Sequence, residues 1–132
     1  MTNKLDLYKC SICGNVVQVM IKGAGELVCC GENMHHLESQ KFEQEMGEKH
    51  VPVFVLNECG NCEIRVGSVP HPMTEEHHIV FIQAISEDKN KVCTEFLYPN
   101  GVPKMLVKEP DNVSYALEYC NIHGLWEGTK ND

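Results

Sequence analysis

The apolar and polar positions follow a two-residue rhythm from about residue 50 onward. Val51, Val53 and Val55 alternate with Pro52, Phe54 and Leu56, an apolar strand whose proline suits an edge or a strand start. Cys59-Gly60-Asn61-Cys62 reads as a tight hairpin turn, with Ile64-Arg65-Val66 returning. His77 to Ala84 predicts a long strand and Val92 to Leu97 another, closed by the turn Pro99-Asn100-Gly101. Met105-Leu106-Val107 predicts a short strand before the Pro110-Asp111-Asn112 turn. In the last predicted strand Val113, Tyr115, Leu117 and Tyr119 share one face. Six or seven short strands with frequent turns predict an all-β protein, an immunoglobulin-like β-sandwich over residues 50–132.

Residues 1–38 lack this rhythm and carry four cysteines, several glycines and little continuous apolar sequence. A segment that short cannot bury a sufficient core, so a structural metal is its natural staple. Residues 39–49, Ser39 to Lys49, are polar and read as a linker with room for one helical turn.

Composition narrows the function. The 132 residues are 42% hydrophobic and 23% charged, with no apolar run long enough for a membrane span. Met1-Thr2-Asn3-Lys4-Leu5-Asp6 lacks the apolar stretch of a signal peptide, which predicts the cytoplasm and reduced cysteines. Eight cysteines and seven histidines exceed what packing requires, and short cysteine spacings in a reducing compartment favour metal over disulfides. The formal net charge of −8, without a lysine/arginine stripe, argues against nucleic acid. It also means that an anionic substrate would have to be attracted by a local positive group.

Cys10-Ser11-Ile12-Cys13-Gly14 is a thiolate knuckle, and the vicinal pair Cys29-Cys30 follows fifteen residues after it. Four thiolates suit a tetrahedral site for iron or zinc, with a pair of disulfides as the bland alternative. A zinc ribbon uses two spaced knuckles, whereas neighbouring cysteines must splay their sulfurs. Tyr8-Lys9-Cys10-Ser11-Ile12-Cys13-Gly14-Asn15 and Leu27-Val28-Cys29-Cys30-Gly31-Glu32-Asn33-Met34 resemble the desulforedoxin-like module of desulfoferrodoxins. That resemblance implies an Fe(Cys)4 centre in residues 1–38 that transfers electrons or stabilises the module, and a homodimer formed partly through it.

The second candidate centre gathers Glu48-Lys49-His50, His71-Pro72-Met73, His77-His78 and Cys120-Asn121-Ile122-His123. A single histidine is usually a solvated or hydrogen-bonded residue; ligands converging from several strand ends at one rim of a sandwich make a site. Gly47 to Val53, Gly67 to His77 and Tyr119 to Trp126 resemble superoxide reductase motifs in order and placement, so the likeness spans Lys4 to Gly128. It implies two mononuclear non-heme irons per chain. At the second, His50, His71, His77 and His123 would lie in one plane, with the Cys120 thiolate axial and a sixth position left for superoxide. It also implies a rubredoxin-like electron donor, with Lys49 drawing in the anion and ordering a proton-donating water. Glu48 would be the carboxylate suited to the ferric state. The alternatives are a non-catalytic iron electron-transfer protein and a structural zinc protein.

Some residues fall outside that pattern. Cys59 and Cys62 are expected to face each other across the hairpin; pairing them with Cys10 and Cys13 as a zinc ribbon would strand Cys29 and Cys30. Cys93 is read as a buried small hydrophobe within its strand. Strand alternation places His78 on the face opposite His77, and His35 and His36 are read as surface residues. Glu76 stands where a basic residue would have helped attract superoxide, which leaves more of the steering to Lys49.

Overall fold

The computed structural model describes residues 1–41, 50–56, 62–67 and 71–130. The chain forms two compact units, Met1–Glu38 and Ser39–Asp132. Among the described residues no helix is long and apolar enough to cross a membrane.

In the first unit β1 (Leu7–Lys9) lies between β2 (Val16–Gln18) and β5 (His35–Leu37), antiparallel to both, while β3 (Val28–Cys29) and β4 (Glu32–Asn33) form a separate hairpin. Its buried apolar side chains are few: Leu5, Leu7, Cys10 and Val19. Val17, Met20, Ile21 and Val28 stay exposed. So small an interior cannot offset the chain entropy of folding, which matches the expectation of a metal staple.

The second unit is a sandwich. One sheet has the order β10 (Lys104–Val107), β7 (Cys62–Val66), β6 (Pro52–Leu56). The other runs β12 (Gly124–Thr129), β11 (Tyr115–Cys120), β8 (Ile79–Ile85), β9 (Val92–Phe96). Period-two burial is clear in β7, where Cys62, Ile64 and Val66 point inward, and in β10, where Met105 and Val107 do. They meet Ile79, Ile82 and Ala84 of β8 and Ala116 and Cys120 of β11 in one continuous core. One ligand candidate, Cys120, therefore has its sulfur inside the packed interior.

Three expectations change. The strand ending in Tyr119 and Cys120 is not the last: the chain turns at residues 121–123 and returns as β12, pairing Tyr119 with Leu125 and Cys120 with Gly124. Two glycines within Gly124–Thr129 dilute the apolar alternation that would reveal a strand. Gly128 is needed there, because a Cβ would come within 2.3 Å of the Pro52 carbonyl oxygen, where β12 passes against the start of β6. Cys93 is exposed rather than buried, because β9 is a sheet edge and all five of its residues face solvent. The third concerns the polar stretch after Glu38: Gln40 bridges in parallel to Trp126, and its backbone bonds Leu125 and Glu127. The start of the expected linker is thus tied to the sandwich. Cys62 is a buried thiol opening β7, raised above its ordinary pKa by burial, while Cys59 lies outside the described residues.

Candidate metal centres

In the first unit the turn after β1 brings Cys10 and Cys13 together. The Gly14 N–H donates to the Cys10 carbonyl at 3.0 Å and the Cys13 N–H donates to the Cys10 sulfur at 3.4 Å. Opposite them, Cys30 and Gly31 form the two-residue turn of the β3–β4 hairpin, with φ of 54° and 77°. Two consecutive left-handed residues are what a tight hairpin requires, and Cys30 adopts that conformation without being glycine. The turn splays the neighbouring sulfurs: Cys29 Sγ lies 3.9 Å from Cys30 Sγ and 3.5 Å from Cys13 Sγ. All four sulfurs fall within 4.8 Å of one another. A tetrahedron with metal–sulfur bonds of about 2.3 Å has sulfurs about 3.8 Å apart, so the donors fit one soft ion.

Charge on these sulfurs is uneven. The Cys13 N–H holds the Cys10 thiol down at about 6. Hydrogen bonding with Cys13 raises Cys29 and pushes Cys30 up to about 12. Cys10 is lowered while Cys29 and Cys30 are raised, so a metal would have to displace protons from those two. Cys13 and Cys30 are exposed. His35 and His36 lie on the surface as expected, and the His36 ring stands 5.1 Å from that of Tyr8.

In the second unit four imidazoles form a closed ring. His50 neighbours His71 (centroids 4.7 Å apart), His71 neighbours His77 (4.7 Å), His77 neighbours His123 (4.9 Å) and His123 neighbours His50 (4.8 Å). Every contact is edge-on, with interplanar angles of 70–82°. Their nitrogens point inward. His71 Nε2 lies 3.0 Å from His50 Nε2, and His123 Nδ1 lies 3.1 Å from His50 Nε2. The Cys120 sulfur reaches His71 Nε2 at 3.5 Å and His123 Nδ1 at 3.8 Å.

Hydrogen bonds alone do not explain so many converging donors. His71 Nδ1 bonds the Pro72 carbonyl at 2.7 Å; an N–H there leaves a lone pair on Nε2 aimed at the other rings. His77 Nε2 is buried and has no hydrogen-bond partner among the described residues. Such an orphan is costly unless something accepts its lone pair. Donors about 2.1–2.3 Å from one ion lie about 3 Å from their neighbours and about 4.5 Å from those opposite, which matches the spacing here. Burial holds the His71 imidazole down at about 4 and lowers His77, keeping both in the neutral form that ligates metal.

The surroundings fix the ring. His50 stacks on Trp126 at 4.8 Å with the planes 15° apart, and Trp126 Nε1 donates to the His123 carbonyl at 3.1 Å. Gln40 Nε2 donates to the same carbonyl at 2.8 Å. The His123 N–H donates to the Cys120 sulfur at 3.4 Å, yet burial outweighs this and raises the Cys120 thiol. Glu118, two residues before Cys120, is wholly buried, both carboxyl oxygens lack a hydrogen-bond partner among the described residues, and burial raises its pKa well above the carboxylate range. His78 belongs to a turn rather than a strand, because β8 begins at Ile79; its Nδ1 bonds the Thr74 carbonyl at 3.0 Å, and it stays outside the ring. Glu48 and Lys49 lie outside the described residues. Trp126, Gln40 and the side chain of Asn121 make contacts at the centre that the sequence alone does not assign. Only Trp126 and Asn121 left a signal, as members of the run around Cys120.

Comparison with known proteins gives concordant matches. Residues 42–129 match the family described as desulfoferrodoxin, and residues 2–37 its N-terminal domain. A desulfoferrodoxin of Desulfarculus baarsii is 42% identical over 127 residues, covering 96% of this chain and 98% of its own. A superoxide reductase of Pyrococcus furiosus is 35% identical over 106 residues, spanning 61% of this chain and 86% of that protein. The crystal structure of the superoxide reductase from Treponema pallidum superposes with a TM-score of 0.73 at 27% identity, covering 98% of this chain and 100% of the other.

Proposed function

We propose that this chain, which belongs to the desulfoferrodoxin family, is a superoxide reductase: it takes superoxide, one electron and two protons to hydrogen peroxide and forms no dioxygen. The observation that carries the reading is the closed ring of four imidazoles with the Cys120 sulfur set against two of them. Five donors exceed the four of a closed structural zinc site, and their mixture of imidazole and thiolate suits a redox-active iron. The two clusters fit the two mononuclear irons of a desulfoferrodoxin.

Bound at the His/Cys centre, iron supplies the single electron and a place for the anion. His50, His71, His77 and His123 hold the imidazole positions, and Cys120 supplies the thiolate. The backbone N–H of His123 tempers the electron density on that sulfur. Trp126 covers His50 and keeps water from that side of the ring. Cys10, Cys13, Cys29 and Cys30 hold the other iron, which four thiolates close to substrate, so its part is electron transfer or stabilisation.

Glu48 and Lys49 complete the reading. In the sequence they directly precede His50, a member of the centre. Lys49 offsets the −8 net charge locally, attracts the anion and orders a water that donates a proton. Glu48 brings an oxygen donor suited to the ferric state. The chain is organised as a 1–38 Fe(Cys)4 module, a 39–49 linker whose Gln40 is tied to the second unit, and a 50–132 catalytic sandwich. It works as a homodimer in the cytoplasm, receives electrons from a rubredoxin-like donor and protects against oxidative stress.

Metal analysis followed by superoxide titration of the reduced protein tests this. The expected result is two irons per chain, a thiolate-to-iron band in the red that grows with each equivalent added, and peroxide without dioxygen. A protein holding two zincs, or a coloured protein whose ferrous centre superoxide does not oxidise, would refute it.

A further inference from the structure

Of the four imidazoles in the ring, His77 alone lacks a visible support. His71 is tied to Pro72, His50 lies on Trp126, and the carbonyl of His123 receives Trp126 and Gln40. Among the described residues no hydrogen bond reaches the His77 ring, and its buried Nε2 is unpartnered. The position of that nitrogen therefore depends on the backbone of residues 74–78. Part of the segment is self-contained: Thr74 N–H donates to the His77 carbonyl at 2.9 Å, and the His77 N–H donates to Thr74 Oγ1 at 3.1 Å. These bonds shape the turn internally, while its ends are held by the Asn100 N–H donating to the Met73 carbonyl and by Ile79, which pairs with Cys120.

Between those ends, Asn121 attaches the residues that flank His77. Its Oδ1 accepts from the His78 N–H at 2.9 Å and its Nδ2 donates to the Glu76 carbonyl at 3.0 Å. One carboxamide thus grips the backbone immediately before and immediately after His77. A third bond, from the Asn121 N–H to the His78 carbonyl at 3.2 Å, makes the grip reciprocal. Asn121 also stands directly after Cys120 and two residues before His123. The same residue therefore registers the turn bearing Cys120 and His123 against the segment bearing His77.

We propose that Asn121 is a positioning residue: its carboxamide is the latch that holds His77 in register with Cys120 and His123, so that the fourth imidazole of the centre is set by a side chain that touches no metal. This rests on reading the His/Cys centre as an iron site. One backbone-to-backbone bond, from the Asn121 N–H to the His78 carbonyl, joins the two segments but leaves the His78 N–H and the Glu76 carbonyl to be satisfied. Here one segment is a turn, and a carboxamide with a donor and an acceptor on one short stem satisfies both of its free backbone groups. Serine offers one hydroxyl and aspartate offers no donor, so neither reproduces the pair.

The test is a cycle on the full-length iron protein with Asn121→Ala, His77→Ala and the double variant. Transfer of iron from the reduced His/Cys centre to a ferrous chelator is timed, the ferric red band marks occupancy, and the Fe(Cys)4 bands serve as internal reference. Asn121→Ala is expected to release that iron about ten-fold faster or more. The Fe(Cys)4 bands stay unchanged, and the double variant releases no faster than His77→Ala alone, because Asn121 acts through His77. Asn121→Asp keeps the acceptor and loses the donor, so its release falls between native and alanine; it replaces alanine in the cycle should that variant not fold. A native release rate in either variant, or single effects that multiply in the double, would overturn the latch. A native protein with Fe(Cys)4 bands but no iron at the second centre would overturn the reading of that centre and the latch with it.

Discussion

In both metal-binding regions a backbone N–H donates to a cysteine sulfur three residues back, at 3.4 Å: Cys13 to Cys10 in the first unit, His123 to Cys120 in the second. Both turns then pass through a glycine with φ of +84°, Gly14 and Gly124. The local device is the same, but the outcome differs. At Cys10 the hydrogen bond dominates and the thiol is held low, at about 6; at Cys120 burial dominates and the thiol is raised. The first turn meets a two-residue hairpin tip that closes a four-sulfur set at the surface. The second meets a ring of imidazoles from separate segments, with His50, His71 and Cys120 buried. A knuckle therefore supplies ligand geometry, and what surrounds it decides whether the metal holds the fold or the fold holds the metal.

Removing both metals separates the two regions most sharply. The first unit, with its handful of buried apolar side chains, should lose all hydrogen-exchange protection in β1, β2 and β5. β8 and β11 should keep theirs, because their core of isoleucine, alanine and methionine needs no ion. Protection that survived in the first unit would show that its small core suffices and would break the contrast.

Trp126→Leu comes next. It removes the stack on His50, the donor to the His123 carbonyl and one of the largest fully buried side chains. A loss of about 3 kcal/mol is expected for the sandwich, read from its denaturant midpoint. The Fe(Cys)4 bands should persist. An unchanged midpoint would mean that the second centre is held by its metal after all.

The paired glycines give the smallest and finest comparison. At φ +84° any Cβ is strained, costing about 1 kcal/mol at either site. A Cβ at Gly14 meets nothing within 4 Å, whereas one at Gly124 comes 3.3 Å from Gln40 Nε2, the atom that bonds the His123 carbonyl. Gly124→Ala should therefore weaken its centre more than Gly14→Ala weakens the other, each followed in denaturant by its own absorption. Equal shifts would show that Gln40 yields freely.

The cysteine spacing and the alternation in β7 and β10 made the thiolate turns and half of the sandwich readable directly, because both are local patterns. Long-range partners were not readable. Gln40 is one polar residue in a polar stretch, and nothing local announces that it bonds a carbonyl 83 residues away. Alternation says which face a side chain takes but not whether its strand lies at an edge, so it does not reveal that Cys93 is exposed. β12 was hidden by the glycines that let it turn and pass close to β6. The four imidazoles follow from the resemblance, while their cyclic order and the support from Trp126 depend on the fold.

The central claim is that superoxide reacts at the buried His/Cys centre and not at the exposed four-sulfur centre. Fully reduced protein mixed with a superoxide pulse, with both sets of bands recorded through time, tests it most directly. The red thiolate-to-iron band should rise first, at a rate proportional to superoxide, with the Fe(Cys)4 bands absent or following later. Fe(Cys)4 bands that rise first, or a red band that never forms, would contradict the account.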